Sequence, residues 1–121
     1  MAHIALVEDV STVSNTMVKI LERAGHQIDT FANAPEALAG CDFAQVDLVI
    51  TDLIMESRNR EMTQGEELIQ ALRREYPLLP IMVVTGAVVD RIDELRECGV
   101  NSLVRKPFEP KALVEAVAEL V

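Results

Sequence analysis

The chain is poor in aromatic residues. Phe, Tyr and Trp make up 3% of its 121 residues, with one Tyr and no Trp. Its core must therefore be aliphatic, and rings to sandwich a flat cofactor are scarce. The two cysteines, Cys41 and Cys98, are far apart and in no metal-ligand spacing, as expected of reduced structural thiols. Basic residues are outnumbered 11 to 20, for a formal charge of -9. An acidic surface repels phosphate backbones and anionic lipids, so neither direct nucleic-acid binding nor membrane association is expected. The N-terminal "MAHIALVEDV" is a short apolar run broken by acids, unlike a secretory signal. No apolar stretch reaches the length of a membrane span. The expected location is cytoplasmic.

What is present is aliphatic and periodic. Half of the residues, 50%, are hydrophobic, and the length suits one domain over residues 1–121. "HIALVED", "DLVIT" and "PIMVVT" are short apolar runs of strand formers. "HQIDTF" alternates, and "NSLVR" is a weaker strand. Between them lie helical patterns. Val13, Met17, Ile20, Leu21 and Ala24 recur at helical spacing before Gly25. Asn33, Pro35 and Gly40 bracket a short helix. Leu68, Ile69, Leu72 and Tyr76 share a face of a third. Asp90, Ile92, Leu95 and Gly99 predict a fourth, and Pro110 opens a fifth with Leu113, Val114, Val117, Leu120 and Val121 on one side. Five strands alternating with five helices predict an α/β fold with a doubly wound parallel sheet.

In such a sheet the functional site lies outside the carboxyl ends of the strands. The predicted first strand ends in Glu8 and Asp9, the third in Asp52, and the fourth in Thr85 followed by Gly86 and Ala87. The fifth runs into Arg105, Lys106 and Pro107. Each residue alone has an ordinary explanation as a cap, a strand threonine or a solvated charge. Their convergence on one rim does not. Three carboxylates together repel and raise one another's pKa values. Mg²⁺ and one ammonium would balance them, and two carboxylates with a backbone carbonyl suffice as protein ligands. A site of this kind accepts a phosphoryl group, whose oxygens need a cation, a lysine and a hydroxyl donor.

The elements "LVED", "VITDLIM", "VVTGA" and "VRKPF" stand in order at these strand ends. With them the whole chain resembles the receiver domain of bacterial two-component response regulators. The resemblance implies a CheY-like, flavodoxin-like five-stranded sheet of order 2-1-3-4-5. It implies that Asp52 is the phosphoacceptor. The Mg²⁺ ligands would be Asp9, Asp52 and the backbone carbonyl of Ile54, with Glu8 acting through water. Thr85 and Lys106 would bind phosphoryl oxygens, with a cis Lys106–Pro107 bond aiming the lysine inward. The chain would then be a switch rather than a classical enzyme, catalysing only its own phosphorylation and slow dephosphorylation. Its implied donor is a histidine kinase or a histidine phosphotransfer protein. Its output would be a downstream effector, or a C-terminal output domain if the chain is excised from a longer regulator. Val10, Ser14, Met17 and Phe108 flank the site and are the expected docking surface for the donor, with Met17 equally readable as core from its helical spacing, and Gly86 leaves the donor room.

Three departures from the family pattern stand out. Leu103 occupies the position of the usual aromatic switch. Ile54 and Ala87 replace polar residues that orient a hydrolytic water, which implies slow loss of the phosphoryl group. The connection after Asp52 is longer than usual, and Glu56 stands where the family has proline. Its charged residues, Glu56, Arg58, Arg60 and Glu61, suit either a tolerated surface insertion or a recognition loop. The alternative function is a receiver-like interaction module that acts without phosphorylation. A flavodoxin-type carrier is disfavoured because Glu8 and Asp9 oppose a flavin phosphate. An aspartyl-nucleophile phosphatase would want a second acid at position 54.

Overall fold

The apolar runs become the interior strands of one parallel sheet. The computed structural model describes residues 2–52, 64–86, 97 and 99–121. Strands β1 (His3–Val7), β2 (Gln27–Phe31), β3 (Leu48–Thr51), β4 (Ile81–Thr85) and β5 (Ser102–Arg105) are joined in the order β2-β1-β3-β4-β5. Helices α1 (Ser11–Arg23), α2 (Ala34–Gly40), α3 (Gln64–Glu75) and α4 (Pro110–Leu120) connect or follow them, and Phe43–Gln45 form one 3-10 turn. The order and the parallel pairing match the sequence expectation. Of the five expected helices, four lie among the described residues. The one expected over Asp90–Leu95 lies outside them, as do Cys98 and the connection 53–63.

Strand periodicity sorts the core into two layers. Ile4, Leu6, Leu48, Ile50, Met82 and Val84 point one way and pack with Met17 and Leu21 of α1 and Leu113 and Val117 of α4. Ala5, Val7, Val49, Ile81 and Val83 point the other way, against Ala34 and Ala37 of α2 and Leu68, Ile69 and Leu72 of α3. Each fully buried Leu or Ile contributes roughly 1.5–3 kcal/mol. The two layers explain why the middle strands show no polar alternation: both of their faces are covered.

Local chemistry sets the helix ends. Asn33 caps α2 by accepting from the Glu36 amide at 2.8 Å, while the Glu36 side chain accepts from the Ala32 amide, one residue before the cap, at 3.0 Å, a variant of the capping box. Gly25 follows α1 with φ of 95°, a conformation that favours glycine. Tyr76 and Val121, expected on helix faces, lie just past the ends of α3 and α4. Ala24 is likewise outside α1 and exposed.

Arg73 binds together the end of the sheet away from the acids. Its Nε and Nη2 donate to the Gly99 carbonyl at 3.1 and 2.6 Å. Its Nη1 donates to the carbonyls of Tyr76 at 3.0 Å and Leu79 at 2.6 Å. Nη2 also donates to Asn101 Oδ1 at 3.0 Å, which in turn accepts from the Ile81 amide at 2.9 Å. The guanidinium thus ties the end of α3 to the entries of β4 and β5, and burial lowers its pKa from the ordinary arginine range. Gly99, with φ of 99°, lies so close beneath this side chain that a Cβ would collide with it.

His3 does comparable work at the entry of β1. Its Nδ1 meets the Gln45 carbonyl at 3.1 Å and its Nε2 meets the Asp29 carboxylate. Both acceptors lack protons, so only the imidazolium satisfies both. The bond to Asp29 accordingly raises the His3 pKa; burial opposes it, while the Gln45 carbonyl and the charges of Asp29 and Asp47 add to it.

Two outcomes follow. Arg73→Ala is expected to lower the unfolding free energy by about 2 kcal/mol in urea titrations, and Arg73→Lys to recover only part of it, because lysine lacks the planar fork. A raised folded-state pKa makes the His3 contribution complete below its ordinary value of 6.5 and lost as pH rises through the folded value. The stability difference between wild type and His3→Gln, from urea midpoints at several pH values, should therefore shrink as pH rises above the ordinary histidine value of 6.5.

Candidate functional site

The parallel sheet delivers its polar residues to one rim because every strand ends there. Glu8 and Asp9 follow β1, Asp52 follows β3, Thr85 is the last residue of β4, and Lys106 follows β5. Glu8, Asp52 and Thr85 are buried, with 4%, 7% and 1% exposure, whereas Asp9 is exposed. Oxygen atoms from Glu8, Asp9 and Asp52 all lie within 4.8 Å of one another.

Lys106 holds this group together. Its Nζ donates to Glu8 Oε2 at 2.7 Å and to Asp52 Oδ2 at 2.9 Å. The Lys106 amide donates to the Thr85 carbonyl at 2.9 Å, which fixes the lysine beside the β4 terminus. The Lys106–Pro107 peptide is cis, as expected. Burial alone would lower the Lys106 pKa, but the bonds to Glu8 and Asp52 outweigh it and the pKa is raised. Glu8 shows the opposite balance. Burial pushes its carboxyl up, and the bonds from Lys106 and from the Val10 amide, at 3.2 Å, only partly offset that.

The backbone around Asp52 is also held. Its amide donates to the Val7 carbonyl at 3.1 Å, and its own carbonyl accepts from the Thr51 hydroxyl at 2.9 Å. The expectation from sequence did not include Thr51. Its signal was a threonine closing an otherwise aliphatic strand. Ile54, expected to offer a backbone carbonyl, and Ala87 lie outside the described residues, with Glu56, Arg58, Arg60 and Glu61 of the long connection.

The expected donor-docking surface needs correction. Val10 is exposed at 47% and Phe108 is half-buried, but Met17 is fully buried and Ser14 is 8% exposed. Positions 14, 17 and 21 share the stripe of α1 that faces the sheet, so they are core rather than surface. The accessible face is instead a groove of about 510 Å³ lined by Thr12, Val13, Thr16 and Ile20 of α1 with Pro107, Phe108 and Pro110. Lys106 also lines it. Gly86 is exposed, and a Cβ there would meet only ordinary contact with Lys106, so packing does not demand glycine. Leu103, at the position of the family's aromatic switch, is half-buried against the α2–α3 layer.

Among the described residues, the acid cluster on the rim offers three carboxylates, two buried and one open to solvent. Such a set suits a hard divalent cation that retains water, not a soft metal. Among the described residues, no helix is long and apolar enough to cross a membrane.

Comparison with known proteins agrees with this geometry. The family model for the response regulator receiver domain matches residues 4–118. The response regulator protein FleR of Pseudomonas aeruginosa is 32% identical over 97% of this chain and 24% of its own length. The transcriptional regulatory protein ResD of Bacillus subtilis is 31% identical over 98% of this chain and 47% of its own. The chain thus spans less than half of the curated relatives it matches. Among solved structures, the chemotaxis protein CheY4 of Vibrio cholerae superposes with a TM-score of 0.88 at 27% identity, covering 100% of this chain and 99% of that one. The response regulator TrrA of Thermotoga maritima, solved in complex with Mg²⁺-BeF, superposes with a TM-score of 0.85 at 28% identity and covers 100% of both chains. A family match over nearly the whole chain, carried on the same five-stranded order, makes this chain a member of the response regulator receiver domain family of two-component systems.

Proposed function

We propose that the chain is a phosphoacceptor switch that takes a phosphoryl group from a phosphohistidine donor onto Asp52. The observation that carries this reading is the convergence of Glu8, Asp9 and Asp52 within 4.8 Å, with Lys106 bridging two of them. Asp9, Asp52 and the Ile54 carbonyl would hold Mg²⁺, with Glu8 acting through water. The bound cation supplies positive charge for the phosphoryl oxygens. An Asp52 carboxylate oxygen forms the bond to phosphorus. The phosphorus–nitrogen bond to the donor histidine breaks, and its electron pair stays on the imidazole. Lys106, already 2.9 Å from Asp52, exchanges a carboxylate oxygen for a phosphoryl oxygen. Thr85 supplies a hydroxyl donor from the neighbouring strand end. Positioning and charge, rather than covalent participation beyond Asp52, make up the contribution of the protein. Water later attacks the acyl phosphate, releasing phosphate and restoring the carboxylate.

The Mg²⁺-BeF complex of TrrA supports extending this chemistry to the present chain. A histidine kinase or a histidine phosphotransfer protein would supply the phosphoryl group. A downstream effector, or an output domain on a longer form of the chain, would read the switch. The groove beside α1 and Phe108 opens next to Lys106, which suits it to receive the donor.

Beryllofluoride with Mg²⁺ should shift the amide resonances of Glu8, Asp52, Thr85 and Lys106 in wild type and leave them unmoved in Asp52→Asn. Equal responses in both proteins would favour an interaction module that works without phosphorylation. Ile54 and Ala87 cannot orient a water, so the acyl phosphate should be long-lived. Ile54→Asn is expected to shorten its lifetime several-fold in a phosphate-release assay, and an equal or shorter lifetime in wild type would exclude the slow-reset reading.

A further inference from the structure

A second cavity, of about 530 Å³, lies between the edge strand β2 and the connection from α2 to β3. Its lining includes His3, Asp29, Phe31, Cys41, Asp42 and Gln45. Among the lining residues only His3 can carry positive charge, and it stands where three parts of the chain meet. Its Nε2 meets the Asp29 carboxylate on β2, and its Nδ1 meets the Gln45 carbonyl at 3.1 Å. The turn that carries Gln45 is closed mainly on itself. The Ala44 amide donates to Asp42 Oδ1 at 3.2 Å, the Gln45 amide to the Asp42 carbonyl at 3.0 Å and the Val46 amide to the Phe43 carbonyl at 3.3 Å. The Gln45 carbonyl reaches beyond the turn, to the His3 ring. Further on, the Asp47 amide donates to the His3 carbonyl at 2.8 Å and Asp47 Oδ2 accepts from the His3 amide at 2.9 Å. Those two bonds involve the His3 backbone and do not need the ring.

We propose that His3 is a pH-sensitive latch on this cavity: its imidazolium clamps the Phe43–Gln45 turn against β2, and loss of the ring proton frees the Gln45 carbonyl and loosens that wall. A neutral imidazole has one N–H for two acceptors. The carboxylate is the stronger acceptor, so the proton stays on Nε2, toward Asp29. The Nδ1 lone pair then faces the carbonyl oxygen, and two acceptors 3.1 Å apart repel. The carbonyl turns away to water, while Asp47 keeps its hold on the His3 backbone. The charged groups around the ring fix the direction. Asp29 on β2, Asp47 before β3 and Asp42 across the cavity are all acids. The bond to Asp29 raises the His3 pKa against the opposing effect of burial, and the Gln45 carbonyl and the Asp47 charge add to it. Burial and the charges of Asp29 and Asp42 raise the Cys41 pKa, so its thiol stays neutral beside them. The other histidine, His26, accepts the Ala2 amide at 3.1 Å on Nδ1 and does not line the cavity. The latch is therefore closed below pH 6.5 and opens as pH rises through the raised folded value. It uses no residue of the acidic rim, so it stands or falls apart from the phosphoacceptor reading.

NMR of the intact chain, with its nitrogens and carbonyl carbons labelled, follows the latch across the His3 titration. Both ring nitrogens should carry protons at low pH, and Nε2 alone at high pH. The Gln45 carbonyl shift should move with the same midpoint as the ring. Protection of the Val46 amide from hydrogen exchange, corrected for the intrinsic rate, should fall roughly three- to tenfold over that step, the scale of one hydrogen bond. The Met17 amide, within α1 on the other face of the sheet, should fall less. In His3→Gln the Gln45 shift and the Val46 protection should not follow pH. Asp29→Asn keeps the ring and should bring the midpoint down toward the ordinary value of 6.5, which keeps the test open if glutamine disturbs folding. A Gln45 carbonyl that ignores the ring titration overturns the proposal. So does an equal fall at Val46 and Met17, which marks a global change rather than a local one. An unmoved midpoint in Asp29→Asn also overturns it.

Discussion

Three carboxylates cannot share the rim of an apolar sheet without positive charge between them. This constraint organises the structure. Burial raises the pKa of Glu8, and repulsion from Asp52 adds to the cost. Lys106, at 2.7 and 2.9 Å from two of the acids, offsets part of it. One ammonium leaves the group with excess negative charge, so the site retains a demand for a cation. In the proposed function that cation would in turn admit a phosphoryl group, whose oxygens suit both cation and lysine. Structure and charge thus point to one chemistry, and the proposed switch uses the imbalance the fold creates.

The scaffold keeps that imbalance in place from the far side. Arg73 gathers the carbonyls of Tyr76, Leu79 and Gly99 with Asn101, so the end of α3 is tied to the entries of β4 and β5. His3 links β1 to the Asp29 side chain of β2 and to the Gln45 carbonyl before β3. Both side chains therefore work at the strand beginnings, while the reactive groups collect at the strand ends. Separating anchors from chemistry lets the rim be polar and partly open without loosening the sheet.

Much of this was legible in the sequence because its physics is local. Short apolar runs of β-branched residues such as "PIMVVT", bounded by turn signals, are the pattern of strands with two covered faces. Gly25 and Asn33 mark helix ends through their own backbone and side-chain preferences. The acids and Lys106 stood out because each follows an apolar run, and the topology rule for α/β sheets places such residues together. Other features depend on partners remote in sequence. Arg73 is one of several charged residues along α3, and nothing local marks it out; its acceptors at Gly99 and Asn101 arrive only when β5 docks. Ser14 looked available for a partner and Met17 suited either a partner or the core, and the roll of α1 on the sheet buries both. Thr51 read as a strand former, and its bond to Asp52 depends on rotamer and backbone angle rather than on pattern.

By itself the sequence determined the fold class, the strand ends and the set of residues on the rim, because hydrophobic periodicity and turn chemistry act over a few residues. Tertiary structure alone decided which acids Lys106 grips, which acid stays exposed, and where the accessible face of α1 lies. Those are matters of distance and burial. They arise only after strands separated by most of the chain, such as β1 and β5, have brought Glu8 and Lys106 within hydrogen-bond reach.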